Sequence, residues 1–251
     1  MEASVVLKAV NISKSFPALR PKHDQLRAYF WNIFSLRAMK EERALSKQRF
    51  WALEDINFEV RKGHFFSIIG KNGAGKSTLL KIIAGIYEPD TGYIQTQGHI
   101  IPFLELGVGF NPQLTARENI YLNGIIMGMT KKEIDEKYEA ILEFAELKEF
   151  EYVQLKNFSS GMQVRLAFAV ASQAQGDIYL LDEVFAVGDI SFQKKALKVI
   201  EGMIAQGKTF IYVGHNMETV RKYSTNVLYL KDHKVEGIGR NMIDKYISDM
   251  T

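Results

Sequence analysis

Cysteine is missing from all 251 residues. Disulfides and thiolate metal sites are therefore excluded, and a reducing cytoplasm is the natural setting. A dominant charge is missing too: 32 Lys and Arg stand against 29 Asp and Glu, and the net +3 is too weak to mark a nucleic-acid binder. No apolar run approaches the roughly 18–20 residues that span a bilayer. The opening Met1-Glu2-Ala3-Ser4-Val5-Val6 lacks the basic-then-apolar layout of a signal peptide. Any action on a membrane is thus expected from its surface or through a partner. Internal repeats and low-complexity tracts are also absent. What is present is an apolar share of 47%, enough for a core, in a chain modestly longer than one usual domain.

The most informative stretch is Gly70-Lys71-Asn72-Gly73-Ala74-Gly75-Lys76-Ser77-Thr78. It has the G-x-x-x-x-G-K-S spacing of a phosphate-binding loop, and its flanks are right: apolar Phe65–Ile69 before it, a helix-like Thr78–Ala84 after it. Glycines at 70, 73 and 75 let the backbone curl so that successive N–H groups face an anion. The helix that follows adds its positive end. In that arrangement Lys76 neutralises the β- and γ-phosphates of a nucleotide, and the Ser77 hydroxyl ligates Mg²⁺.

Residues 4–12 read as a first strand, and Lys14-Ser15-Phe16-Pro17 as a break. Residues 20–49 differ from the rest, with eight Lys and Arg against Asp24, Glu41 and Glu42. Within them Leu26, Tyr29, Phe30, Ile33 and Phe34 form one helical stripe flanked by Trp31 and basic residues. Such a helix suits a membrane interface, or it packs on the core as most amphipathic helices do. Strands are expected at 51–60, 64–69 and 93–97, with a turn at Glu88–Gly92 and a glycine- and proline-rich connector at 104–112. From Thr115 to about Leu155 the pattern is helical, with capping boxes at Thr115–Glu118 and Thr130–Glu133. Phe158-Ser159-Ser160-Gly161-Met162 opens a further helix. Beyond it come strands at 178–182, 209–213, 226–230 and 234–238, with helices near 192–206, 217–223 and 239–249. Alternating strands and helices predict an α/β fold with a mainly parallel sheet.

Ile178-Tyr179-Leu180-Leu181 ends in Asp182-Glu183. Four apolar residues bury the strand and bring both carboxylates out at its C-terminal end, where ligands bind in open α/β sheets. Asp182 is placed to hold Mg²⁺ and Glu183 to polarise an attacking water. His215 follows the next buried strand and is placed to hydrogen-bond a γ-phosphate. Ser159 and the free N–H groups of the helix it starts either bind a phosphate or simply cap that helix; spacing leaves both open.

Taken in this order, the phosphate loop, the Phe-Ser-Ser-Gly-Met segment, the Asp-Glu strand end and the later His resemble an ATP-binding-cassette ATPase over roughly residues 4–238. The resemblance implies a phosphate-loop NTPase core with a mixed sheet, an N-terminal antiparallel β region and an inserted α-helical subdomain. It implies one domain over 1–251: a core of 1–114 and 175–251 carrying the basic insertion, and a helical subdomain of about 115–174. ATP and Mg²⁺ would be bound. Two cassettes would pack head to tail, with Ser159, Ser160 and Gly161 of one copy at the γ-phosphate of the other and Asp189 in the loop joining the sites. The family's adenine-stacking aromatic corresponds to Phe16 or to Trp51. Its metal-contacting glutamine between subdomains has Glu105 near its place, with Gln113 as the alternative.

The Ser-Ser-Gly-Met form of the signature, Glu105-Leu106-Gly107-Val108-Gly109-Phe110 with Arg117-Glu118-Asn119-Ile120, and Ala186-Val187-Gly188-Asp189 resemble one branch: ATPase subunits that export lipid-linked O-antigen, capsule or teichoic acid. That branch implies a peripheral place on the cytoplasmic face of the membrane and a separate polytopic permease riding on the 104–112 connector. It also puts the 23–40 helix at the membrane boundary, near the lipid head group. Because the chain stops at Thr251, it is not expected to carry the sugar-binding C-terminal domain of some members. The alternatives are another transporter branch, or a soluble nucleic-acid-associated cassette. The near-neutral charge and the lack of sustained heptads argue against a nucleic-acid partner.

Overall fold

The computed structural model describes residues 3–17, 49–103, 109–182 and 189–250. Nine strands and seven α-helices are found among them. The strands are β1 (Val5–Pro17), β2 (Arg49–Arg61), β3 (Phe65–Ile69), β4 (Thr91–Thr96), β5 (Ile100–Phe103), β6 (Ile178–Asp182), β7 (Thr209–Val213), β8 (Asn226–Lys231) and β9 (Lys234–Ile238). The helices are α1 (Lys76–Ile83), α2 (Ala116–Ile126), α3 (Lys131–Ala145), α4 (Ser160–Gln173), α5 (Ile190–Ala205), α6 (Met217–Tyr223) and α7 (Met242–Met250).

A three-stranded antiparallel sheet runs β2-β1-β4, and a six-stranded sheet runs β5-β6-β7-β3-β8-β9. In the larger sheet the first five strands are parallel and β9 returns antiparallel to β8. Its inner strands β3, β6, β7 and β8 are buried on both faces, which is why they read as apolar runs. Along β3, β6, β7 and β8 alternate side chains enter two different cores. Phe65, Tyr179, Phe210, Tyr212 and Tyr229 belong to one core with the helices α2 to α7. Phe66, Ile68, Leu180, Ile211 and Leu228 pack with α1 and the small sheet. The phosphate loop therefore leaves a strand held on both faces.

Both expected capping boxes form: the Thr115 hydroxyl accepts from Glu118 N–H and Thr130 does the same for Glu133, each reciprocated by the glutamate. Two sequence expectations need correction. Lys14–Pro17 does not break the first strand; β1 continues to Pro17, pairing Phe16 with Phe50 across register shifts at Ala9/Ile12, Ile12/Lys14 and Lys14/Ser15. Bulges let a strand bend and continue where its alternation fails. A short strand, β5, also stands where none was expected. Its Pro102 is tolerated because β5 is the sheet's edge. The basic segment 20–48 and the residues 104–108 lie outside the described residues.

Candidate functional site

β3, β6 and β7 lie side by side and in register, with Asp182 beside Val213 and Val213 beside Ile68. Their C-terminal ends thus converge on the turn between β3 and α1. Gly75 ends that turn with φ 102°, immediately before the first helical residue. A Cβ on Gly75 would overlap the Ala52 carbonyl oxygen, and one on Gly70 would overlap the Leu230 carbonyl oxygen. Only glycine lets this loop lie so close to β2 and β8.

Lys76 is 6% exposed, and its Nζ donates to the Gly70 and Lys71 carbonyls at 2.8 and 3.0 Å. The ammonium is thus held at the centre of the loop it belongs to. A cavity of about 510 Å³ opens over it, within the usual ~300–1,000 Å³ of small-molecule sites. Asn72, Gly73, Gly75, Lys76, Ser77 and Thr78 form its floor. Asp182 and His215 reach it from the ends of β6 and from just past β7. Phe16 and Phe50 give it an aromatic wall, and Ala52 lines it beside Gly75. The cavity thus joins a phosphate-type cradle with an adjacent carboxylate and hydroxyl to an aromatic wall. That donor set fits a nucleoside triphosphate with a divalent cation: N–H groups and an ammonium for the phosphates, Ser77 and Asp182 for the metal, flat apolar rings for a base.

Among the expected site residues, Phe16, Asn72, Gly73, Gly75, Lys76, Ser77, Thr78, Asp182 and His215 meet in this one cavity. Gly70 contributes its carbonyl to Lys76. Lys71 and Ala74 line, with Asn72 and Gly73, a second cavity of about 330 Å³ shared with the β8–β9 turn. Glu183 and Glu105 lie outside the described residues. Ser159, Ser160 and Gly161 stand apart, at the start of α4; Ser159 caps that helix, its hydroxyl accepting from Met162 N–H at 3.2 Å. Asp189 caps α5 in the same way, accepting from Phe192 N–H at 2.9 Å. Gln113 is exposed and bonded within its own loop and to Gln154, away from the cavity. Trp51 is 44% exposed and is not among the cavity's lining residues. Because side chains alternate along a strand, Phe50 and Ala52 face the cavity instead. Phe50 was missed in the sequence; finding it requires the β1–β2 register, which the bulges obscure.

A glycine loop between a buried strand and a helix, with a carboxylate at the end of the next strand but one in the same sheet, defines a phosphate-loop nucleotide-binding protein. Residues 53–186 match the family model described as ABC transporter. The chain belongs to the ABC transporter family. It is 45% identical over 195 residues to the O-antigen export system ATP-binding protein RfbB of Klebsiella pneumoniae, covering 78% of this chain and 79% of that one. It is 34% identical over 242 residues to the teichoic acids export ATP-binding protein TagH of Bacillus anthracis, covering 96% of this chain and 42% of that longer one. Among solved structures, the ATP-binding cassette MJ0796, in a dimeric post-hydrolysis state with ADP and Pi, superimposes with a TM-score of 0.70 at 24% identity. That match covers 92% of this chain and 97% of that one, and it establishes the shared fold. Among the described residues no helix is long and apolar enough to cross a membrane.

Proposed function

We propose that this chain is the ATP-hydrolysing subunit of an exporter that moves lipid-linked cell-surface polysaccharide, of O-antigen, capsule or teichoic acid type, across the cytoplasmic membrane. The observation that carries the proposal is the cavity in which the phosphate loop, Asp182 and His215 meet, in a chain similar to O-antigen and teichoic acid export ATPases. The loop N–H groups and Lys76 bind the β- and γ-phosphates, and Phe16 supports the base. Ser77 and Asp182 hold Mg²⁺, with Glu105 as a further contact; when bound, the ion neutralises phosphate charge as it develops. Glu183 takes the proton of the attacking water, and His215 holds the γ-phosphate in line.

The working unit is a homodimer of cassettes, each 1–251 acting as one domain, with its core in 1–114 and 175–251 and its helical part in 115–174. Ser159, Ser160 and Gly161 of one copy face the γ-phosphate of the other. The dimer sits on the cytoplasmic face of the membrane against two copies of a polytopic permease. That permease carries the lipid-linked glycan, and the basic 23–40 segment lies at the lipid boundary. The test is Glu183→Gln in the purified protein. Loss of the general base predicts a fall in turnover of about 10²–10⁴-fold with ATP still bound, and a stable ATP-held dimer on gel filtration. Wild-type turnover in that variant would remove Glu183 from the chemistry.

A further inference from the structure

The aromatic end of the cavity is built from two phenylalanines, and each directly follows a residue bound to one carboxylate. Asp90 lies in the turn between α1 and β4. Its Oδ2 accepts from the Ser15 N–H at 2.9 Å and from the Ser15 hydroxyl at 2.6 Å. The same oxygen accepts from Arg49 Nη2 at 3.4 Å, while Oδ1 accepts from Lys14 Nζ at 3.1 Å. Arg49 also donates to the Ser15 carbonyl at 3.2 Å, and Lys14 to the Glu88 carbonyl at 2.7 Å. Ser15 precedes Phe16 on β1, and Arg49 precedes Phe50 on β2. The two rings are register partners with centroids 5.9 Å apart, and Tyr87 meets Phe16 edge-on at 5.7 Å.

This end of the small sheet needs an anchor from outside its own ladder. The register of β1 slips three times between Ala9 and Ser15, β4 pairs with β1 no further along than Ser13, and Pro17 has no N–H to give. Phe50 is 47% exposed, so packing alone does not hold it. Asp90 supplies the anchor with charge-assisted bonds, the stronger class of hydrogen bond. It reaches them from the turn that closes α1, the helix whose other end is the phosphate loop. The helix α1 and the turn after it (84–90) therefore join the phosphate cradle to the aromatic wall through one continuous stretch of chain.

We propose that Asp90 is a positioning residue for the nucleotide base: it fixes Phe16 and Phe50 relative to the phosphate loop, and Phe50 supplies a second ring face to the base. This rests on the reading of the cavity as the ATP site. The Ser15 hydroxyl and N–H hold the Asp90 carboxyl down to about 2, so the clamp stays ionised at any working pH.

The test compares MgATP with magnesium tripolyphosphate, which has the phosphates and no base. Asp90→Ala should raise KM for ATP about tenfold, the size of one lost base–aromatic stack. Its competitive inhibition constant for tripolyphosphate should stay within twofold of wild type. Asp90→Asn keeps an acceptor for Ser15 but not the charge for Lys14 and Arg49, so it should fall between. Phe50→Ala removes one of the two rings that Asp90 holds, so it should raise KM no more than Asp90→Ala does, and the double variant should be no worse than Asp90→Ala alone. Equal weakening of ATP and tripolyphosphate in Asp90→Ala, or effects of the two substitutions that multiply, would overturn the proposal. Should Asp90→Ala fail to fold, Ser15→Ala removes only the hydroxyl bond. It should raise KM for ATP severalfold and leave tripolyphosphate alone; no change in KM would equally overturn the proposal. Failure of the ATP-site reading looks different: Lys76→Ala would leave ATP affinity of the otherwise wild-type protein unchanged.

Discussion

Two alanine substitutions, Gly73→Ala and Gly75→Ala, separate the two reasons a phosphate loop needs glycine. Both residues have positive φ, 82° and 102°. A Cβ at Gly73 meets nothing within 4 Å, whereas one at Gly75 overlaps the Ala52 carbonyl and crowds the Leu53 Cδ2 at 2.7 Å. Gly73→Ala therefore bears only the backbone cost, about 1–3 kcal/mol for a non-glycine residue in that region. Gly75→Ala bears a similar backbone cost plus the displacement of buried β2, about 1–3 kcal/mol for overpacking. The expected losses are about 2 kcal/mol and about 4 kcal/mol. Urea unfolding followed by circular dichroism measures both, with the slope confirming that the transition stays two-state. ATP affinity should follow the same order, because a shift of β2 also carries Phe50 and Ala52 away from the cavity. Equal losses for the two variants would refute the reasoning, since close approach would then contribute nothing beyond φ.

Other consequences are as direct. Thr115→Ala removes one cap hydroxyl bonded to Glu118; it should cost about 1 kcal/mol in unfolding free energy and leave ATP turnover within twofold. Phe168→Ala empties a fully buried site among Phe103, Phe144 and Phe192; a loss of about 3–5 kcal/mol is expected by chemical denaturation. The Asp90 carboxyl sits at about 2 when folded against 3.8 ordinarily. Between those values the folded protein keeps the charge while the unfolded chain takes up a proton. Its stabilising effect is therefore full above about pH 4 and fades as pH falls to about 2. The stability gap between wild type and Asp90→Asn should be flat from pH 7 to 5 and narrow through that acid window. A gap that widens on acidification would contradict the assignment.

The parts legible in the sequence were those fixed by neighbours along the chain. The phosphate loop, the Asp182 strand end and both threonine caps depend on spacings of a few residues, and each lies where its pattern put it. The parallel core followed from strand–helix order, and the antiparallel N-terminal sheet from the family resemblance. The parts not legible depend on pairing between distant strands. Pro17 argued against strand and no strand was expected around Pro102, yet each lies where a missing N–H costs nothing: one at a strand end, the other on a sheet edge. Phe50 carries no local signature, and the turn pattern around Asp90 does not reveal what its carboxyl binds. The aromatic wall exists only because a bulged register sets Phe16 opposite Phe50, and a bulge count cannot be read from alternation that the bulge itself interrupts.

Phe103 of β5, Phe144 of α3, Phe168 of α4 and Phe192 of α5 touch ring to ring, at centroid distances of 5.4 to 5.8 Å. Interlocked rings cannot slide by small amounts, because close-packed interiors resist gradual deformation. A swing of α3 and α4 against β5 and α5 would have to pull these rings apart. Motion passed through these helices would then arrive as a click, with a definite threshold, and a bulkier or smaller ring at any of the four positions would retune the force at which it gives.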